Sequence, residues 1–212
     1  MIKYALGFVS LLALAAPGAN ATLVATFSQN PHVGPTVNAT DNGTVTNINI
    51  LDISTAVTSG ISGLIGNAIF DFNATSVDAA ATLGSAVIQH YSGSFCFTSA
   101  NGCGGTNFLS GTFTDAAFGA LGGPGLTVNV NNPPDTLVLT SSVIASSELQ
   151  APSTFGLTFA NLTPNLHIDG TTIGAFTADF AGTVSASSVP EPFSLGLLGI
   201  GLFGLGMVRY KR

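Results

Sequence analysis

Between Thr22 and Val189 the chain contains no lysine and no arginine, and this limits the structures that it can form. Soluble helices normally cover their exposed faces with charged residues, and such residues are scarce here. The segment is rich instead in glycine, serine, threonine, asparagine, alanine, valine, isoleucine and phenylalanine. These residues form short apolar or alternating runs between turn residues, a pattern typical of β-strands. The composition therefore predicts an all-β body.

Turn residues divide this body into ten predicted strands. The main turns are Asp41-Asn42-Gly43, Asn101-Gly102, residues 122–125, residues 132–135 and Asp169-Gly170. The strands are predicted near residues 23–28, 44–50, 68–72, 85–91, 93–98, 108–113, 126–130, 136–144, 154–160 and 173–185. Many short strands at this spacing predict an antiparallel β-sandwich or jelly roll. We expect a loop over residues 29–40, and a loop or short glycine-interrupted helix over residues 56–66.

The N-terminus has the features of a secretory signal peptide. Lys3 supplies the positive charge, and residues 4–16 form the apolar core. The small residues Ala19 and Ala21 then give the cleavage pattern of signal peptidase, so we expect the mature chain to begin at Thr22. An uncleaved N-terminal anchor is the alternative, but the apolar stretch is short for a membrane span.

The C-terminus also has three parts in a fixed order. Pro190, Glu191 and Pro192 come first, and sixteen almost entirely apolar residues, 193–208, follow them. As a helix this run spans about 24 Å, slightly less than the roughly 30 Å hydrocarbon core of a bilayer. Basic side chains that snorkel can make up the difference. We predict a transmembrane helix whose basic end stays in the cytoplasm. The basic residues of that end are Arg209, Lys211 and Arg212.

This order of motif, apolar helix and basic end resembles the PEP-CTERM sorting domain of exported proteins in Gram-negative bacteria, over about residues 189–212. The resemblance implies that exosortase, an integral-membrane protein, recognises the tail and removes it. The protein would pass through the inner membrane and then reach the cell surface or the extracellular space. Such proteins tend to occur in bacteria that make extracellular polysaccharide. Tyr210 departs from the purely basic run often found there, and a plain unprocessed membrane anchor is the alternative.

Removal of both terminal segments leaves an acidic body over residues 22–188, because all four basic residues lie outside it. Its acids are Asp41, Asp52, Asp71, Asp78, Asp115, Asp135, Glu148, Asp169 and Asp179. Nucleic acid binding needs a basic face that neutralises phosphates, so this class of function is excluded. Anionic polymers would be repelled, whereas neutral polysaccharide or divalent cations would not. The charge permits neutral extracellular polysaccharide, and the resemblance to sorted proteins of polysaccharide-making bacteria implies it as the partner of the body.

Cys96 and Cys103 are the only cysteines, and they flank an Asn-Gly turn near the end of a predicted strand. In an exported protein this arrangement predicts one structural disulfide. The short loop that it closes suggests a stabilisation of about 2–3 kcal/mol. The alternative is a metal site with His90 as third ligand, but the paired spacing of zinc motifs is missing.

No catalytic arrangement is visible in the sequence. The three histidines, His32, His90 and His167, accompany neither a Gly-x-Ser-x-Gly elbow nor a His-Glu-x-x-His motif. The acids are scattered singly, and Glu148 is the only glutamate of the body. They give no specific carboxylate pair for glycosidase chemistry. Calcium is an open alternative, because Asp41-Asn42-Gly43 offers hard oxygen ligands, although no EF-hand is present.

We therefore expect no catalytic residue and no cofactor, and a structural or adhesive protein of the cell surface or matrix. The alternative is an exported hydrolase that acts on polysaccharide or peptide through residues that the sequence does not reveal. Two facing carboxylates, or a Ser-His-Asp arrangement at His90 or His167, would favour that alternative.

The processing of both ends can be tested by intact-mass analysis of the mature protein. We expect an N-terminus at Thr22 and loss of the residues that follow the Pro-Glu-Pro region, because each signal is read by its own membrane enzyme. Mature protein that keeps Arg212 in cells with active exosortase would contradict the cleavage at the C-terminus.

Overall fold

The structure is a computed structural model, and it describes residues 21–30, 34–59, 66–84, 86–121, 126–130 and 135–187. The predicted sorting segment lies outside the described residues, as does the signal peptide before Ala21. The described part of the chain contains no helix that is long and apolar enough to span a membrane. The described strands belong to one compact unit, Asn20–Val189.

The described residues form thirteen strands and one short 3-10 turn, Ser146–Glu148. The strands are β1 Ala21–Gln29, β2 Val37–Asp41, β3 Thr46–Ser59, β4 Gly66–Ser76, β5 Ala81–Leu83, β6 Ala86–Ala100, β7 Gly104–Leu121, β8 Leu126–Val130, β9 Thr136–Thr140, β10 Gln150–Thr163, β11 Ile168–Asp169, β12 Thr172–Ile173 and β13 Phe176–Ser187. Every pairing between them is antiparallel. The predicted all-β, antiparallel class is confirmed.

The order of strand pairing returns to its starting point. Neighbouring strands follow the order β6–β4–β3–β1–β13–β10–β8–β7, and β7 pairs again with β6. β2 continues the line of β1 between β3 and β13, while β8 and β9 share one edge of β7. One continuous sheet therefore encloses the core, and the two packed faces of the predicted sandwich are parts of that single sheet.

Phenylalanine rings fill the interior of this sheet. Residues alternate between the two faces of a strand, so Phe95 and Phe97 both point inward from β6, as Phe155 and Phe159 do from β10. Rings from strands that are not neighbours contact each other across the core. The ring centroids of Phe95 and Phe155 are 4.2 Å apart, and those of Phe27 and Phe97 are 4.7 Å apart. These contacts hold opposite parts of the sheet together.

The structure changes several predicted boundaries. The two strands predicted at residues 85–91 and 93–98 form one strand, β6, because β7 pairs with both parts of it. Residues 37–40 lie in the predicted loop but belong to β2, whose inward side chains Val37 and Ala39 are buried. β3 extends to Ser59, so the start of the predicted loop or helix is also strand. Tertiary pairing thus overrides weak local signals at all three places.

Three of the bulges that interrupt the ladders contain an Asp or Asn residue with a positive φ. Asp52, Asp115 and Asn161 have φ values of 55°, 58° and 56°, respectively. The register of the sheet shifts at each of these residues. Asp and Asn tolerate this left-handed conformation better than other non-glycine residues do. The acids that the sequence places at strand ends are therefore, in part, bulge residues that bend long strands.

The two ends of the body lie next to each other in the sheet. Ala21, the first residue of β1, pairs with Ser187, the last residue of β13. Ser187 also pairs with Gln150 of β10, and it is buried. Ser187, near the C-terminal end of the body, is therefore paired with a neighbouring strand on each side.

The phenylalanine core predicts that two alanine substitutions differ strongly in their effect on stability. Phe155→Ala removes a fully buried ring that contacts several strands, and should lower the free energy of unfolding by about 3–5 kcal/mol. Val138→Ala, at a side chain that is 60% exposed, should change it by about 0.5 kcal/mol or less. Urea unfolding of both variants is the measurement. An equal loss of unfolding free energy in both variants would contradict the placement of Phe155 in the core.

Candidate functional site

The outer face of four neighbouring strands, β3, β1, β13 and β10, contains a groove of about 550 Å³. No ionisable residue is among the residues that line it. Its hydroxyl-bearing residues are Thr26, Ser28, Thr58, Thr154, Thr158 and Thr183. We call this surface the threonine groove.

The strand register arranges these hydroxyls in a row across the sheet. Thr26 pairs with Thr58 on one side and with Thr183 on the other, and Gly156 continues the row. Neighbouring strands lie about 4.8 Å apart, so adjacent hydroxyls of the row have a similar spacing. Gly156 and Ala181 add little or no side chain, which leaves the surface concave.

Most of the hydroxyls are available to a ligand. Within the described part of the chain, the hydroxyls of Thr26, Ser28, Thr158 and Thr183 form no hydrogen bond to another protein group, and all four residues are exposed. Thr58 is different, because its hydroxyl donates to the backbone oxygen of Thr26 over 3.3 Å. The groove therefore presents donors and acceptors without charge.

A second candidate is the pair formed by His90 and Asp78. The Nδ1 of His90 lies 2.5 Å from one carboxylate oxygen of Asp78, and its backbone N–H donates to the other oxygen over 2.8 Å. The hydrogen bond that the Asp78 carboxylate accepts from His90 is the main cause that raises the pKa of His90 above its ordinary value, and the charges of Asp78, Asp115 and Asp135 raise it further. Both side chains of the pair are partly exposed.

Hydrolytic triads contain an acid–histidine pair of the same kind. Among the described residues, no hydroxyl is hydrogen-bonded to Nε2 of His90. Partial burial raises the pKa of the nearby Asp135, and Asp115 raises it further. The site thus has a proton-binding pair, without a serine or threonine held against it.

Two other predicted polar residues, His167 and Glu148, lie elsewhere in the described part of the chain. His167 has Asn165 as a partner, with 3.0 Å between Nδ1 and the backbone oxygen, and its ring packs over Gly174. Glu148 is exposed in the short 3-10 turn. His32 is outside the described residues. Within the described residues, neither His167 nor Glu148 forms a hydrogen bond or ion pair with Asp78 or His90.

The oxygens of the loop considered for calcium already accept hydrogen bonds from the protein. One carboxylate oxygen of Asp41 accepts from the backbone N–H of Gly43, and the other from the hydroxyl of Thr172 over 2.5 Å. The side-chain oxygen of Asn42 accepts from the backbone N–H of Val45 over 2.8 Å. These contacts hold the β2–β3 turn against β12, which is a structural use of these side chains.

Sequence reasoning missed a buried polar cluster in the same region. Gln89 has no exposed surface, and its side-chain oxygen accepts from the hydroxyl of Tyr91 and from the backbone N–H of Ile173. Its side-chain nitrogen donates to the backbone oxygen of Asp78. Burial also raises the pKa of Tyr91. The alternation of inward and outward residues along β6 could have revealed this cluster, because it places Gln89 and Tyr91 on the inward face.

Cys96 and Cys103 form the predicted disulfide. The turn that joins β6 to β7 brings them together, with positive φ at Gly102 and Cys103. A carboxylate oxygen of Asp71 lies within 4.8 Å of both sulfur atoms. Because the sulfur atoms are bonded to each other, this group does not act as a set of metal ligands in the structure.

Comparison with known families identifies the C-terminal segment. Residues 188–212 match the family model of the PEP-CTERM protein-sorting motif. The resemblance inferred from Pro190, Glu191, Pro192 and the basic end is therefore confirmed. The motif marks an exported protein that is directed to exosortase. No curated protein and no solved structure matches the chain.

The Asp78–His90 pair predicts a dependence of stability on pH. The pKa of His90 is higher in the folded protein than in the unfolded chain. The contribution of the pair to the free energy of unfolding is therefore complete below the unfolded pKa of His90, near 6.5. It disappears as the pH rises through the folded pKa. An exposed pair of this kind contributes about 0.2–1 kcal/mol. The asparagine of Asp78→Asn can still accept the hydrogen bond from the backbone N–H of His90, but it has no negative charge.

We expect Asp78→Asn to lower the pKa of His90 in an NMR titration. We also expect it to be less stable than the wild type at pH 5.5, and equally stable at pH 8.5. A stability difference that is the same at both pH values would show that the pair acts only through its backbone hydrogen bond.

Proposed function

We propose that this exported protein is a non-catalytic, structural or adhesive component of the cell surface or matrix, and that its body binds neutral polysaccharide in the threonine groove. The observation that carries the proposal is a groove without ionisable residues, in which four of the six hydroxyls form no hydrogen bond within the described part of the chain. Export and sorting rest on the C-terminal motif. The groove supplies what the sequence alone lacked, a defined surface for the ligand.

The chemistry of the groove suits a neutral sugar chain. A threonine hydroxyl can both donate and accept, as a sugar hydroxyl does, so the two surfaces can satisfy each other. The volume of about 550 Å³ is in the usual range of ligand sites. The methyl groups of Thr26 and Thr183, with Ala56 and Ala181, offer apolar contacts to the C–H groups of the ring. Anionic polymers are disfavoured by the acidic body.

The groove also limits the affinity of a single site. Its only aromatic residue, Phe27, is 2% exposed and belongs to the core, so no ring is available for stacking against a sugar. Binding would then depend on hydrogen bonds, whose net contribution is small in water. Many copies along one polymer would raise the effective affinity, as expected for a matrix component.

Affinity electrophoresis in gels that contain neutral or anionic polysaccharide tests this function. The double variant Thr26→Val/Thr183→Val removes two hydroxyls but keeps the shape and strand preference of both residues. Loss of two hydrogen bonds should weaken binding to the neutral polymer about tenfold. Thr114→Val/Thr136→Val is the matched control, because these threonines form an exposed cross-strand pair outside the groove.

The outcomes separate the parts of the proposal. A wild-type protein without affinity for any neutral polymer would contradict the polysaccharide role. Normal binding by the groove variant would place the site elsewhere on the body. The Asp78–His90 pair gives the hydrolase alternative its one supporting observation. Polymer that becomes shorter with the wild type, but not with His90→Gln, would favour that alternative.

A further inference from the structure

A carboxylate lies directly beside the disulfide. Asp71 of β4 and Cys96 of β6 are opposite each other in the ladder, and an oxygen of Asp71 is 3.9 Å from Sγ of Cys96. Both residues are buried, with exposed fractions of 8% and 3%. The other oxygen of Asp71 accepts the backbone N–H of Asp52 over 2.9 Å, which fixes the carboxylate in place.

The two sulfur atoms differ in accessibility. Cys103 is exposed at the tip of the β6–β7 hairpin, whereas Cys96 is covered. The tip is held down by a hydrogen bond of 2.7 Å, in which the backbone N–H of Gly102 donates to the carboxylate of Asp52. A thiol from solution therefore meets the exposed residue Cys103 first, and Sγ of Cys103 is the sulfur at which we expect it to attack.

This difference determines how the disulfide can be reduced by a small thiol. The attacking thiolate forms a bond to Sγ of Cys103, the bond between the two cysteines breaks, and Cys96 leaves as a thiolate. A second thiolate then attacks the mixed disulfide and releases Cys103, so two thiols are oxidised as the protein gains two. The negative charge in the first step develops on Cys96, next to Asp71.

We propose that Asp71 protects the disulfide kinetically, because its carboxylate opposes the charge that must develop on the leaving sulfur of Cys96. Two negative charges at 3.9 Å repel each other strongly in a buried environment. Reactive cysteines normally have a Lys, Arg or protonated His beside them, which lowers the pKa of the thiol. The body has no lysine or arginine that could offset the charge of Asp71.

The effect goes beyond polysaccharide binding and does not depend on it. A protein of the extracellular space cannot count on repair of a broken disulfide. A carboxylate at the leaving sulfur would keep the β6–β7 hairpin closed in the presence of external thiols. The position of Asp71 is thus a means of preserving the β6–β7 connection, through which the sheet closes.

The rate of reduction by dithiothreitol, followed by alkylation and mass analysis, tests the proposal. Asp71→Asn keeps an oxygen for the backbone N–H of Asp52 but removes the charge. We expect it to be reduced about tenfold faster than the wild type. Asp115→Asn is the matched control, because it removes one negative charge at the bulge of β7, and should be reduced at the wild-type rate.

Urea unfolding of each variant distinguishes protection by charge from loss of structure. The proposal requires that reduction of Asp71→Asn is faster while its free energy of unfolding, measured with the disulfide intact, stays close to that of the wild type. A wild-type rate for Asp71→Asn would overturn it. So would a rate increase that follows a matching loss of stability, since global opening would then expose Cys96.

Discussion

The pairing of β6 with β7 is the constraint on which the rest of the structure depends. It joins the two ends of the strand order, so that one sheet encloses a core on all sides. Phenylalanine rings from opposite strands then meet in the interior of a body that has no lysine or arginine for ion pairs. The disulfide lies in the same hairpin and keeps its two strands together. The closed sheet also provides the broad outer face in which the threonine groove forms.

The sequence was sufficient to predict the class of fold, and the reason lies in the alternation of residues. Phe95 and Phe97, or Phe155 and Phe159, can only point to the same side if the chain is extended. The alternation does not specify which strands become neighbours, so the closure of the sheet could not be inferred. β2 was missed because Val37 and Ala39 are stabilised by β3 and β13, which are distant in the sequence.

The candidate sites show the same limit. The disulfide was predictable because Cys96 and Cys103 are close in sequence and flank a turn. The threonine groove was not, because Thr26, Thr58 and Thr183 come from three strands that meet only in the folded sheet. His90 was considered as a candidate, but its partner Asp78 could not be chosen among nine acids. The sorting motif was predictable for the opposite reason, because it is read as a linear segment.

The position of β13 has a mechanical consequence. This strand ends at Ser187 and pairs with β1 on one side and β10 on the other, and all three strands line the groove. A polymer held in the groove and a pull at the C-terminal end of the body would load β13 along its own axis. The hydrogen bonds of both ladders would then be sheared together and would share the force, instead of opening one after another. A body attached at this end would therefore need a higher force to unfold than one whose hydrogen bonds open one after another.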